Sequence, residues 1–364
     1  MRALLAIPAI ALIAVMLFEF FVSFLLPQRV KREPRFARTI LVALWGAWRW
    51  GASRLRGPGG ETWLGFFGPV GLLSMLASWV VGLIVGFALL QWALHAHLAS
   101  GAGTSIGDDL YYSAASFFSA ATNLSATGGA RWVEIGEAIC GYLVLFGAIG
   151  YLPALFQAYS RREVAVSQLD PRAGSPPSAG TLLYRSAHRG GWPDLDAYLA
   201  EWEKWAAELM ETHLSYPQLA FYRSQHVNQN WLAALVTVLD TSAFAIAVAP
   251  ERTPAAEVTF AIGRHALADL AYAFRARPAG GDGERLDAAG FDRMREKIAG
   301  AGLDVAEPER ARAKLAELRE LYEPYAEALS RRLALALPSW FRAGERQENW
   351  RIAAWRTREA QVLH

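Results

Sequence analysis

Three long apolar runs dominate the pattern of hydrophobic and polar positions in the first half of the chain. They cover residues 3–26, 69–98 and about 135–159, and each exceeds the roughly 20 apolar residues that a helix needs to cross the hydrocarbon core of a bilayer. The first run is longer than the apolar region of a signal peptide, and no small-x-small cleavage motif follows it. The pattern therefore predicts three transmembrane helices, the first of them an N-terminal anchor over residues 1–35.

Basic residues cluster directly after the first and third runs, in QRVKREPRFAR (28–38) and SRRE (160–163). Lysine and arginine next to the end of a span favour the cytoplasmic side of the membrane. The sequence therefore predicts an external N-terminus, an external segment over 99–134 and a cytoplasmic chain after residue 160.

Residues 36–56 have an amphipathic pattern in which arginines stand among tryptophans, leucines and an isoleucine. This segment is too charged to span a bilayer, and a helix with one basic and one aromatic face is typical of the membrane interface. The alternative is a cytoplasmic helix that packs on the soluble domain. We predict an interfacial amphipathic helix and linker over 36–68, in which GPGG (57–60) ends the helix.

A short apolar run, LYYSAASFFSA (110–120), follows Asp108 and Asp109 in the external segment. Acidic residues suit the start of a helix, because its unpaired N–H groups and its dipole favour negative charge there. At about 12 residues the helix is too short to span and is predicted to be a re-entrant half-helix. The polar backbone that follows is tolerable in a membrane only where it lines water or is buried in protein.

Three residues in the third run favour close packing or bending, namely Gly147, Gly150 and Pro153. Glycine permits close approach of helices, while proline removes a backbone hydrogen bond and allows a kink. We predict a gate or hinge at these positions, with bundle packing as the alternative. They complete a predicted pore module over 69–163.

After the third run the composition shifts to proline, glycine and serine, in LDPRAGSPPSAG (169–180), which predicts a linker over 164–192. Helical periodicity returns from about residue 193, and strand signals are nearly absent. The predicted fold class is an all-α membrane protein with three transmembrane helices, a re-entrant pore helix and a helical cytoplasmic domain over 193–364.

Charge and composition restrict the function. The formal net charge is only +2, so no strongly basic face predicts a nucleic-acid partner. Cys140 is the single cysteine and therefore cannot form an intrachain disulfide. No nucleophile–base constellation, metal-ligand spacing or cofactor loop occurs, so we predict no enzyme activity, no cofactor and no metal site.

Three stretches carry a resemblance to a known family, namely LYYSAASFF (110–118), EAICGYLVLFGAIGYLPALFQAYSRREV (137–164) and DPRAGSPPSAG (170–180). Together with the order of the elements, they resemble the pore region of bacterial two-transmembrane, potassium-channel-like proteins of the ion-channel pore family. HLSYPQLAFYRSQHVNQNWLAAL (213–235) also resembles their cytoplasmic region. The resemblance implies a homotetramer around residues 108–160 that conducts monovalent ions through the bacterial inner (plasma) membrane, with lipid around it.

The filter of that family has the form T-x-G-x-G-D after paired phenylalanines. Alignment on the phenylalanine pair at 117–118 places Ala121 and Asn123 at the two glycine positions. An alanine in the left-handed conformation that glycine adopts there costs roughly 1–2 kcal/mol. Side-chain oxygens here suit a wide, hydrated, weakly selective pore. Two alternatives remain, a filter register at 127–129 and a structural loop in a non-conducting protein. The predicted filter and pore-lining residues are Ser119, Ala120, Ala121, Thr122, Asn123 and Leu124.

Two functions follow from these observations. The first is passive ion permeation through a tetrameric pore with altered or weak selectivity. The alternative is a non-conducting membrane sensor or scaffold, in which the channel fold holds together cytoplasmic domains that bind a ligand or partner. For that alternative, Tyr222, His226 and Asn230 would share one face if their segment were helical, although a satisfied polar network between helices explains the same residues.

Residues 231–249 are nearly long and apolar enough to form a fourth span. Asp240 lies at the centre of the run, and a carboxylate at mid-bilayer is costly. We therefore predict a buried helix of the soluble domain, in which Asp240 pairs with Arg223, Arg264 or His265.

Overall fold

The computed structural model describes residues 2–24, 36–55, 58–94, 105–120, 128–226, 228–278 and 285–341. Helices make up its regular secondary structure, and no strand occurs within these ranges. The prediction of an all-α chain is therefore confirmed. The chain divides into two compact units, Met1–Phe156 and Gln157–His364.

The first unit begins with a short 3₁₀ turn at Arg2–Leu5 and then forms five helices within its described part, the last of which continues past Phe156. They are α1 (Ala6–Phe24), α2 (Phe36–Ala52), α3 (Pro58–Leu94), α4 (Ile106–Phe117) and α5 (Ala130–Ala173).

Small residues let α1 pack closely along α3. A Cβ on Gly82 would lie 2.6 Å from the Met16 sulfur, and a Cβ on Gly86 would lie 2.7 Å from Cγ1 of Ile13. A larger residue at either glycine would require the facing Met16 or Ile13 side chain to shift.

Aromatic contacts hold α2 against α3. Trp48 and Trp63 stack at 4.4 Å between ring centroids, and each indole N–H donates to the other residue's carbonyl oxygen. Trp45 is buried against Phe67 in the same interface. Because Trp50 stays exposed at 60%, α2 has both a packed side and an apolar exposed side.

Four described helices are long and apolar enough to cross a membrane, namely α1, α3, α5 and Trp231–Val248. The first three contain most of the three predicted apolar runs, although α3 begins at Pro58, within the segment predicted as interfacial helix and linker. In the fourth, 94% of the apolar window is buried within the protein, against 17–39% for the others. This burial supports the prediction that residues 231–249 form a core helix of the second unit.

The second unit is a bundle around this central helix, α8. Its helices are α6 (Ala179–Ala187), α7 (Gly191–Ser215), α8 (Trp231–Val248), α9 (Pro254–Ala273), α10 (Ala288–Gly300), α11 (Pro308–Glu320) and α12 (Glu323–Leu333). Helix α7 packs along α9, and α8 packs against α9 and α11.

The predicted linker over 164–192 is largely helical, because α5 continues to residue 173 and α6 follows after a short turn. Val166 and Leu169 are buried, so this end of α5 belongs to the core of the second unit. Gly174, at a φ of 87°, ends α5, and the Ser178 hydroxyl accepts from the Thr181 N–H to begin α6. The glycine and serine that indicated a linker are helix caps.

Candidate functional site

The short helix α4 begins with a capping box. The Ser105 hydroxyl accepts from the Asp108 N–H at 3.3 Å, and the Asp108 carboxylate accepts from the Ser105 N–H at 3.0 Å. This confirms the prediction that the acidic pair marks a helix N-terminus. The neighbouring Asp109 is buried on the side of α4 that faces the rest of the first unit.

Helix α4 runs parallel to α5. Ser113 contacts Glu137, and one helical turn later the Phe117 carbonyl contacts the backbone at Gly141. From the first contact to the second, each helix advances by four residues, so the two helices run in the same direction. Because α5 begins at Ala130 and rises about 1.5 Å per residue, the C-terminal end of α4, beside Gly141, lies about 16 Å along α5 from Ala130.

Gly141 lies directly against the C-terminal end of α4. A Cβ at this position would lie 2.1 Å from the Phe117 carbonyl oxygen, well inside van der Waals contact. Only glycine therefore permits this packing. The sequence marked the third span as glycine-containing, but it gave no indication of the partner.

Three buried polar side chains join α3, α4 and α5, and we refer to Gln91, Ser113 and Glu137 as the polar cluster. The Gln91 amide donates to Oε2 of Glu137 at 3.1 Å. The Ser113 hydroxyl contacts Oε1 of Glu137 and also lies 2.8 Å from the Ile84 carbonyl oxygen. Sequence reasoning missed this cluster, although polar residues inside apolar runs are a usable signal.

The predicted filter is described only at its start. Ser119 has a left-handed φ of 51° and ends α4 without a glycine, and the Ala120 N–H donates to the Ala115 carbonyl. The remaining predicted filter residues, Ala121, Thr122, Asn123 and Leu124, lie outside the described residues. In the alternative register, Thr127 also lies outside, while Gly128 and Gly129 form a turn before α5.

The predicted gate residues lie within α5, which runs without a break through all three. Gly147 contacts α1, because a Cβ there would lie 2.2 Å from the Phe20 ring. At Gly150 a Cβ would meet nothing within 4 Å, and Pro153 is exposed. Packing therefore explains Gly147, whereas Gly150 and Pro153 face away from the packed side of their own unit.

The three predicted ligand residues of the second unit do not lie on one helical face, because residues 222–226 and 228–230 are not helical. Tyr222 is buried, whereas His226 is exposed. Asn230 caps α8 by accepting from the Ala233 N–H at 2.7 Å, and its amide donates to the Ala336 carbonyl. Tyr222 and Asn230 therefore have packing and capping roles.

Arg162 is the centre of a buried polar network in the same region. Its guanidinium donates to the carbonyl oxygens of Leu219 and Tyr222 at 2.8 and 2.9 Å. It also lies 3.2 Å from Nε2 of His213 and pairs with Glu163. The sequence indicated Arg162 only as a basic flank of the third span, but it holds the end of α7 and the following turn.

His213 is neutral in this network. Its Nδ1 lies 2.8 Å from the Leu209 carbonyl oxygen, which requires the hydrogen on Nδ1 and leaves Nε2 to accept from Arg162. Burial lowers the pKa of His213 well below its ordinary value, and the Arg162 charge lowers it further.

We expect acid to destabilise the second unit through His213. The unfolded chain protonates this histidine near pH 6.5, whereas the folded chain does not, so stability is present above that pH and is lost as the pH falls below it. The loss is about 1.4 kcal/mol per pH unit for one group. Denaturant unfolding between pH 7.5 and 5.5 measures the slope. His213→Gln keeps a donor and an acceptor and should flatten it, and an equally steep slope in that variant would contradict the assignment.

The described residues thus bring together a short capped helix against two long apolar helices in one unit, and a buried arginine–histidine network in the other. Comparison of the chain with protein-family models, with curated proteins and with solved structures finds no match.

Proposed function

We propose that this chain is a potassium-channel-like membrane protein in which four copies surround a pore for passive permeation of monovalent cations. The observation that carries the proposal is the packing of α4, whose C-terminal end lies about 16 Å along α5. In this proposal α1, α3 and α5 span the bacterial inner membrane and α4 is a re-entrant pore helix. The N-terminus is external and the second unit is cytoplasmic.

The direction of α4 gives it an electrostatic role. A hydrocarbon core is about 30 Å thick, so a point about 16 Å along a spanning helix lies near mid-membrane. The C-terminal end of a helix carries a partial negative charge of about half an elementary charge. Four such ends directed at a common axis favour a cation there, as in the pore region that this sequence resembles.

Weak selectivity follows from the residues after α4. Glycine is missing from the aligned filter positions, so the carbonyl ladder of a potassium filter is disfavoured at roughly 1–2 kcal/mol for each alanine in each subunit. Ser119, Thr122 and Asn123 supply side-chain oxygens instead. A wider pore that leaves the ion partly hydrated suits such ligands.

The exposed side of α5 supports assembly around an axis. Leu143, Phe146 and Ile149 are 53–65% exposed in the single chain. An apolar helix face of this kind is stable against lipid or against a neighbouring subunit. A tetramer would use part of it for subunit contacts and part of it to line the pore.

Flux measurements in liposomes test the proposal. We expect the purified protein to conduct potassium and sodium at similar rates and chloride far more slowly. The double substitution Ala121→Gly/Asn123→Gly restores glycine at two aligned positions and should shift the potassium-to-sodium ratio. Ala99→Gly/Ser100→Gly, in the external segment, is the matched control and should leave the ratio unchanged. An intact tetramer without cation flux would contradict the proposal.

A cavity in the second unit favours the alternative of a sensor or scaffold. Its volume is about 350 Å³, and it opens beside the last turn of α12. Two arginines and one glutamate line it, and an arginine guanidinium can donate hydrogen bonds to a small anion. Thermal stabilisation of the protein by inorganic phosphate, lost in Arg331→Gln, together with absence of flux, would favour this alternative. The lining residues are Arg285, Glu327, Ser330, Arg331, Leu337, Pro338 and Ser339.

A further inference from the structure

The contacts of the Ser113 hydroxyl bear on the protonation state of Glu137. The Ser113 hydroxyl has one hydrogen but two oxygen contacts, the Ile84 carbonyl and Oε1 of Glu137. A carbonyl has no hydrogen to give. If Ser113 donates to Ile84, the contact with Glu137 is a hydrogen bond only when Glu137 supplies the hydrogen.

With that proton in place, the polar cluster is a complete chain of donors and acceptors. The Gln91 amide donates to Oε2 of Glu137, the protonated Oε1 donates to Ser113, and Ser113 donates to Ile84. This chain connects α3, α4 and α5. Without the proton, one contact of Ser113 loses its hydrogen and a carboxylate is left fully buried, which is costly in an apolar surrounding.

The surrounding groups oppose a negative charge on Glu137. On α4, Asp109 is a second buried carboxyl one turn before Ser113, and Tyr112 is buried beside it. The α3 segment 62–94 contains no ionisable residue.

The neighbours on α5 itself, Glu134 and Cys140, are acidic or neutral. Within the part of the first unit that the structure describes, the buried residues include no lysine or arginine. Like charges nearby and the lack of a buried cation both favour the neutral acid.

We propose that Glu137 is a proton-binding site that fastens α4 to α3 and α5. The proton keeps the C-terminal end of α4 at Gly141; its release at alkaline pH leaves Ser113 with one hydrogen for two acceptors and places an uncompensated charge in the buried cluster, so α4 leaves this position. The gating consequence rests on the proposed function. Cation flux then falls as the pH rises, because the end of α4 no longer points at the axis.

Infrared spectroscopy of the reconstituted 364-residue chain tests the site without any need for flux. A protonated carboxyl gives a C=O band distinct from that of a carboxylate, and we expect this band at neutral pH, its loss on alkaline titration, and its absence from Glu137→Gln. Glutamine keeps one donor for Ser113 and one acceptor for Gln91, so the fold should persist. Glu134→Gln, on the same helix, should retain the band. Spectra of wild type and Glu137→Gln that match at every pH would overturn the proposal.

The flux arm separates this inference from the proposed function. Cation flux should fall with rising pH in the wild type and in Glu134→Gln, and it should lose this dependence in Glu137→Gln. A carboxyl band with unchanged pH dependence of flux in Glu137→Gln would overturn the gating role. Absence of flux in all three proteins would contradict the proposed channel function. The infrared band would still decide whether Glu137 binds the proton.

Discussion

Replacement of Asp240 by alanine is expected to destabilise the second unit by about 3–5 kcal/mol, because it removes one partner of a buried ion pair. The carboxylate is fully buried. It accepts from both terminal nitrogens of Arg285, at 3.0 and 2.5 Å, and from the Tyr322 hydroxyl at 2.5 Å. The alanine variant leaves a nearly buried guanidinium without its main counter-charge.

The cluster around Asp240 is electrically balanced, which explains why a single deletion should be so costly. Glu323 accepts from Arg285 at 3.0 Å and from Arg319 at 3.1 Å, so two carboxylates face two guanidinium groups. Burial raises the pKa of Tyr322 well above its ordinary value, and the Asp240 charge raises it further, so the phenol remains a neutral donor. Asp240→Ala would leave a net positive charge in the core.

Two further variants separate charge from shape. Tyr322→Phe removes one hydrogen bond to a charged group and should cost about 1.5–3 kcal/mol. Asp240→Leu/Arg285→Met removes both charges and should cost much less than Asp240→Ala, because Arg319 still pairs with Glu323.

Hydrogen exchange of peptides from α8 and α12 in the whole chain, together with denaturant unfolding, measures these costs within the second unit. A cost below about 1 kcal/mol for Asp240→Ala would show that water reaches the pair, and it would contradict its description as a buried ion pair.

The sequence predicted that Asp240 lies in a protein core beside a cation, but it did not predict the correct cation. Arg223 donates to the Leu333 carbonyl instead, Arg264 is exposed, and His265 lies beside Asp269. The partner, Arg285, follows α9 and precedes α10. Helical periodicity shows which face of a helix is buried, whereas the approach of a distant segment depends on the packing of the whole bundle.

The long apolar helices were predictable because their signal is local. Each needs only about 20 consecutive residues of suitable hydropathy, and the short capped α4 likewise has its signal in a few neighbouring residues. The polar cluster was not predictable in the same way. Gln91, Ser113 and Glu137 belong to three different helices, and a single polar residue in an apolar run looks the same whether it faces lipid, water or another helix.

The error at residues 164–192 has a different cause. Proline, glycine and serine are common both in flexible linkers and at helix ends, so composition alone does not separate the two. Here Gly174 and Ser178 cap helices on either side of a short turn. Burial of Val166 and Leu169 distinguishes a core segment from a linker, and burial follows from tertiary contacts.

Substitution of Gly141 by alanine is expected to reduce cation flux at least about 5-fold. The new methyl group would lie 2.1 Å from the Phe117 carbonyl oxygen, and the obstacle is backbone, which cannot rotate away as a side chain does. Overpacking of this kind costs about 1–3 kcal/mol, which corresponds to a factor of about 5–150 between the original and the displaced position of α4.

Gly136→Ala is the matched control for this experiment. It lies on the same helix, and a Cβ there would meet nothing within 4 Å. Alanine is a better helix former than glycine by about 1 kcal/mol, so this variant should be slightly stabilised and should conduct like the wild type. A loss of flux in both variants would mean that α5 itself, and not its contact with α4, is sensitive to a methyl group.

Labelling of Cys140 reports the position of α4 independently of conduction. This residue is the only cysteine of the chain and is buried beside Gly141. If Gly141→Ala displaces α4, a maleimide should modify Cys140 faster than in the wild type and in Gly136→Ala. Faster labelling with lost flux would tie conduction to the contact between Phe117 and Gly141. Normal flux despite faster labelling would mean that the position of α4 does not control permeation, and the observation that carries the proposed function would lose its force.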